Sequence, residues 1–258
     1  MNIFNRLVIS PCCNPDLDLE SALAAYSALG FTQFEAFSSW ANSALSLDVP
    51  AEEYKKLFEK YGMRVTSFHL SPITDEADSF DMAIKYAEFA NAMGAEVVLY
   101  KAASRELYIQ NAKRFLDTTA HLSIIPVVQN HFGTAVSTLD DVKEVTEGIA
   151  DTTANVTNVG RMKNLLEVGH FHTAGVLWNE GYNYLGANRI ALVHIKDQLG
   201  GLSVPFGTGE IDLKGMFKTL EADGYTGKYV VEMEVEDKEN TLKYLQQAVE
   251  YIKNEVGL

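Results

Sequence analysis

The stretch PAEEYKKLFEKYGMRVTSFHL, residues 50–70, carries the reading on which the fold depends. Its first half is an amphipathic helical pattern. Pro50 suits a first turn, where its missing N–H costs nothing, and Gly62 stands just past the end, where a left-handed cap is wanted. Its second half, RVTSFHL (64–70), is a short apolar run of the kind that forms a strand buried on both faces. One helix–strand pair decides little. Its repetition decides the class.

Outward from this unit, eight such runs follow one another: RLVIS (6–10), TQFEAF (32–37), RVTSFHL (64–70), AEVVLY (95–100), IIPVVQN (124–130), KNLLEV (163–168), RIALVHI (189–195) and YVVEMEV (229–235). Helical patterns separate them, among them LESALAAYSALG with its closing Gly30 and a segment opened by TLDD, which reads as a capping box with an acid in the Glu position. Only FHTAGVLWNEGYNYLGAN, after the sixth run, is Gly- and Asn-rich and reads as a poor helix. Units repeating roughly every 30 residues, with no linker or composition break, predict one closed (β/α)8 TIM barrel over residues 1–258. A doubly wound open sheet is the alternative, and the even spacing favours closure. Neither a GxGxxG after the first run nor a P-loop is present.

Composition excludes several functions. A net charge of −14 argues against a nucleic-acid partner, because a phosphate-backbone binder needs clustered basic residues. No apolar stretch approaches the ~20 residues that span a bilayer, so no membrane partner is expected. The only two cysteines are adjacent, Cys12 and Cys13, and write no disulfide framework. The N-terminal MNIFNRLVIS lacks the apolar core and cleavage site of a signal peptide. A soluble, cytoplasmic protein is the expectation.

In a barrel of this kind the site lies at the C-terminal ends of the strands. Of six histidines, His69 ends the third run, His131 follows the fifth, His170 follows the sixth with His172 beyond it, and His194 ends the seventh. His121 reads as helical. Glu35, Glu167, Glu232 and Glu234 interrupt or end apolar strands, and a buried acid demands a cation, a hydrogen-bond network or a proton. Their convergence on one rim predicts a site.

The order of Glu in GFTQFEAF, His in TSFHL, then QNH, ExGH, HIKD and GTGEID…GYTGKYVVEME resembles the xylose isomerase-like barrel superfamily, to which the sugar phosphate isomerases and epimerases belong. The resemblance covers nearly the whole chain. It implies a divalent metal ion held by Gln129, Glu167, His194 and Glu232, where the sugar-acting members carry Glu, Asp, His and Glu. Gln129 offers a neutral oxygen in place of a carboxylate, and Glu167 is one methylene longer than Asp. That oxygen-rich set suits Mn²⁺ or Mg²⁺, with Zn²⁺ or Co²⁺ also compatible.

The implied activity is a sugar isomerase, epimerase or related dehydratase (lyase), acting on a sugar, keto-sugar or polyol by proton abstraction next to a metal-polarised carbonyl. Gln129 cannot carry a proton, so Glu232 is expected as the base, with His131 or His170 as the second proton carrier. Dehydration tolerates the loss of one base better than epimerisation does. Substrate contacts are expected from Glu35, His69, Lys101, Lys196 and Trp40. Glu35 is equally readable as the partner of a site histidine, of Lys101 or of Arg64, and Lys196 as the partner of Asp197. Barrels of this kind often self-associate, so a homodimer is compatible. A DNA-repair nuclease of the same superfamily is disfavoured by the acidic charge. A non-catalytic sugar-binding member remains the alternative to an enzyme.

Overall fold

The computed structural model describes residues 3–153 and 160–256. Eight parallel strands close into a barrel: β1 (Leu7–Ile9), β2 (Gln33–Phe37), β3 (Arg64–His69), β4 (Val97–Leu99), β5 (Ile125–Gln129), β6 (Lys163–Glu167), β7 (Ile190–Ile195) and β10 (Lys228–Val231), the last pairing with the first. The intervening β8 (Asp197–Leu199) and β9 (Leu202–Val204) form an antiparallel hairpin outside the barrel sheet. Around the barrel run α1 (Leu19–Ala28), α2 (Ala51–Lys60), α3 (Ser79–Met93), α4 (Arg105–Thr118), α5 (Leu139–Thr153), α6 (Val168–Thr173), α7 (Trp178–Leu185), α8 (Leu213–Ala222) and α9 (Thr241–Tyr251). This is the expected (β/α)8 TIM barrel. No helix among the described residues is long and apolar enough to cross a membrane.

Two apolar clusters follow from the two faces of each strand. Val8, Val97, Leu99, Val127, Leu165, Leu192 and Val230 pack together, all from strands and none from a helix, so they fill the barrel interior. The alternate residues, among them Ile9, Phe34, Val98, Leu166, Val193 and Val231, pack with the helices. Because strand side chains alternate with period two, each interior apolar residue sets the direction of the residue two places on. Leu99 leads to Lys101, Val127 to Gln129, Leu165 to Glu167, Leu192 to His194 and Lys196, and Val230 to Glu232 and Glu234. The polar residues of the C-terminal end thus continue the inward column of the apolar core.

The structure departs from the sequence reading in three places. The eighth run is longer than its strand: β10 ends at Val231, and Glu232–Val235 lie beyond it, outside any strand or helix. The Gly- and Asn-rich stretch, read as a poor helix, contributes to two short, well-capped ones. Glu167 caps α6 by accepting from Gly169 N at 2.9 Å, and Glu180 accepts from Leu177 N at 3.0 Å before α7. Gly181 is there for close packing, since a Cβ would meet the Phe171 ring at 2.3 Å. His170 and His172 therefore lie on a helix, whereas His121 falls in the turn after α4. The TLDD box forms as read, with Thr138 N donating to Asp141 Oδ2 at 2.8 Å and Asp141 N to Thr138 Oγ1 at 3.2 Å.

Candidate active site

A cavity of about 340 Å³ opens at the C-terminal end of the barrel. Trp40, His69, Lys101, Gln129, His131, His170 and Glu232 line it, as do Cys12, Phe37 and Glu234. Glu35, Glu167, His194 and Lys196 do not line it and are buried.

His194 is the hub of that buried layer. Its Nδ1 lies 3.1 Å from Glu167 Oε2 and 3.1 Å from Glu232 Oε1, while its Nε2 lies 3.2 Å from Glu35 Oε2. Register explains the convergence: Glu167 and Val230 flank His194 on the neighbouring strands, and Glu232 N donates to Ile195 O at 3.0 Å. Asn130, the residue after β5, fixes the end of β6 by donating to Glu167 O at 2.8 Å and accepting from Glu167 N at 2.9 Å.

Lys196 does not pair with Asp197. Its Nζ contacts Glu232 Oε2 at 3.1 Å and Glu234 Oε2 at 2.5 Å. Asp197 instead organises the following loop, accepting from Gly207 N at 2.8 Å and Gly209 N at 3.0 Å. Gly169 makes room for the Lys196 stem, because a Cβ there would lie 2.9–3.1 Å from its methylenes. Neither does Glu35 pair with Arg64, which meets Glu96 at 2.9 Å. Glu35 Oε2 accepts from Ser67 Oγ at 2.8 Å, and its Oε1 lies 2.9 Å from His69 Nε2. On the far side of that ring, His69 Nδ1 is 2.8 Å from Lys101 Nζ.

These contacts set the charges. Burial raises the Glu35 carboxyl, but His194 and His69 more than offset it and hold the group below the usual carboxylate range. Burial likewise raises Glu232, and Lys196 and His194 override it to keep the group ionised. Glu167 has no such lysine in contact: burial and the neighbouring Glu232 push it up to about 7. Burial lowers His194, yet Glu35 and Glu232 raise it well above the ordinary imidazole value. Burial takes His69 down to about 4, Lys101 to about 8 and His170 to about 2, and it also lowers His131. The His131 and His170 rings pack with centroids 3.7 Å apart.

The chemistry of the innermost atoms fits a divalent cation. Glu167 Oε2 and His194 Nδ1 are buried without an aligned hydrogen-bond partner, although they lie 3.1 Å apart. Donor atoms of Glu167, His194 and Glu232 all lie within 4.8 Å of one another. Two carboxylate oxygens facing an imidazole nitrogen repel unless a proton or a metal ion stands between them. Gln129 lines the adjoining cavity wall and carries an amide oxygen.

Of the residues that shape the site, Ser67, Asn130 and Gly169 escaped the sequence reading. ExGH and QNH already contained two of them, but their roles depend on partners 27 and 37 residues away or on close packing.

Over 70 residues the chain is 39% identical to the L-ribulose-5-phosphate 3-epimerase UlaE of Salmonella paratyphi A, and so spans about a quarter of that protein's length (26% of this chain, 25% of the enzyme). In fold it is similar to the IolI protein solved with a zinc atom, at a TM-score of 0.78 and 14% identity over 98% of both chains. It is also similar to the probable 3-DHS dehydratase AsbF from Bacillus anthracis, at a TM-score of 0.73 and 13% identity over 96% of this chain and 99% of that one. A family model matches residues 23–255, and with the closed barrel already described, the chain belongs to the xylose isomerase-like TIM barrel family.

Proposed function

We propose that the protein is a divalent-metal-dependent isomerase, epimerase or dehydratase acting on a small keto-sugar or polyol. One observation carries this reading: Glu167, His194 and Glu232 bring donor atoms together beside a cavity the size of a sugar, and Glu167 Oε2 and His194 Nδ1 among them have no aligned partner. With Gln129 they would hold the metal, and a relative solved with zinc supports that assignment. When bound, the ion supplies Lewis acidity to a substrate carbonyl, making the adjacent C–H more acidic.

The remaining work falls to the chain. Glu232, ionised beside Lys196, is placed to take the proton from the carbon next to the carbonyl. His131 and His170 pack against each other with tilted rings and are neutral, and they serve the proton on the leaving or epimerising side. Lys101, lining the same cavity, offers an ammonium group to a substrate oxygen. Trp40, Phe37 and His69 pack in series, Trp40 tilted on Phe37 at 5.8 Å between centroids and Phe37 stacked on His69 at 3.9 Å, a surface that suits the apolar face of a sugar ring. Trp40 is 63% exposed and adopts φ +79°, a conformation a large side chain avoids unless its surroundings impose it. Glu35 and Lys196 support this layout from behind rather than touching substrate.

A second reading, a sugar-binding member without catalysis, is favoured by the neutral Gln129 where the sugar-acting relatives carry a base. Incubation with Mn²⁺ and a panel of keto-sugars and inososes in D2O separates the two. Deuterium at the carbon beside the carbonyl is expected. Saturable sugar binding with no exchange would leave the binding reading standing instead.

A further inference from the structure

The residue that organises this site is outside the cavity. We infer that Glu35 is a positioning residue that fixes the tautomers of two imidazoles at once, turning His194 Nδ1 toward the metal position and His69 Nδ1 toward Lys101. The inference rests on the metal-dependent reading for its first half only.

Glu35 is 0% exposed, with the cavity lined by other residues, so it has no route to substrate. Its placement is built into the sheet. The β2–β3 register slips between Phe34 and Glu35, so that Phe34 faces Val65 but Glu35 faces Ser67, and such irregularities re-aim a side chain. Each carboxylate oxygen then faces one histidine through the same ring atom: Oε2 is hydrogen-bonded to His194 Nε2 at 3.2 Å, and Oε1 lies 2.9 Å from His69 Nε2 in a close but unaligned contact. Ser67 Oγ adds a third donor at 2.8 Å.

An ionised carboxylate only accepts, so both Nε2 atoms must carry protons. In His69 that leaves Nδ1 as the acceptor for Lys101 Nζ, which holds the ammonium at the cavity wall. In His194 it leaves the Nδ1 side, which faces Glu167 and Glu232, as the position where a metal ion would replace a proton. A carboxylate behind a ligating histidine is the arrangement by which proteins fix ring orientation and raise ligand basicity. Here one carboxylate serves two rings, and so couples the metal side of the site to its lysine side.

The test uses Glu35→Gln, which keeps the shape but replaces one acceptor with a donor. A glutamine can accept from only one of the two Nε2–H groups. Imidazole ¹⁵N–¹H spectra of metal-free wild type should show Nε2–H on both His69 and His194, and the variant should lose it on at least one. Mn²⁺ affinity, measured by titration calorimetry, should fall ~10- to 100-fold in Glu35→Gln. Glu35→Asp, charged but too short to span both rings, should fall between the two and covers the case in which Glu35→Gln folds poorly. Retention of both Nε2–H signals with unchanged Mn²⁺ affinity would overturn the inference. So would two metal ions bound per chain, because Glu35, His69 and His194 would then be ligands themselves. Should wild type bind no Mn²⁺ or Zn²⁺, the proposed function fails, while the imidazole spectra still decide the role of Glu35.

Discussion

The two ends of the barrel are built to opposite rules. At the N-terminal end, polar groups close on one another. Arg6 donates to the carbonyls of Tyr225 at 2.8 Å and Gly227 at 3.2 Å and pairs with Glu221, which also accepts from Tyr229. Lys228 donates to Gln33 at 2.6 Å, and Gln33 to Asn5 O at 2.8 Å. At the C-terminal end, Glu35 Oε1, His69 Nε2, Glu167 Oε2 and His194 Nδ1 are buried without aligned partners. A barrel keeps its chemistry at the C-terminal face and its stability at the other. The contrast is one of degree: Arg6 Nε is also buried without an aligned partner, yet both terminal nitrogens of that guanidinium are engaged, whereas at the other face four atoms of the site are left open.

The comparison breaks most visibly if Glu232 is neutralised. Glu232→Gln should lower deuterium exchange by ~10²- to 10⁴-fold, the worth of a positioned general base, and should also lower the melting temperature of the metal-free protein, because buried Lys196 and His194 lose the carboxylate they share. The mirror experiment is Arg6→Ala. It breaks a buried ion pair and should cost about 3–5 kcal/mol in urea unfolding, with exchange per folded molecule unchanged. Loss of exchange without loss of stability in Arg6→Ala would erase the distinction between the ends.

Gln129→Glu sharpens the contrast by restoring the acid that the sugar-acting relatives carry. Metal affinity should tighten about ten-fold with the added charge, and exchange at a second face of the substrate carbon should appear. The smallest effect is in pH. Glu167 sits at about 7 in the fold, above its ordinary value, so its contribution to stability is present at acidic pH and is lost as pH rises through about 7. Metal-free protein should therefore melt a few degrees lower at pH 8 than at pH 6, roughly 2–4 °C for each kcal/mol. Glu167→Gln should flatten the difference, and differential scanning calorimetry would read both.

The barrel was open to reading because its signal is local: the caps around Pro50 and Gly62 and the runs between helices need no tertiary knowledge. The rim residues were open for the same reason, as polar residues ending apolar runs. Partners were not. That Lys196 meets Glu232 and Glu234 rather than the adjacent Asp197 follows from the period of two within β7, which turns neighbours to opposite sides, and from the register of β7 with β10. Glu35 reads as a substrate contact or an ion pair until the slip between β2 and β3 is known. The helices α6 and α7 were hidden because their glycines serve packing, which propensity cannot see.

The amide of Asn130 has a consequence for how such a site can change. It grips residue 167 by the main chain alone, through N and O, and so holds the end of β6 whatever side chain residue 167 bears. Position 167 behaves as a socket. A side chain of another length could stand there without moving the end of β6, provided it still caps α6 as Glu167 Oε1 does by accepting from Gly169 N.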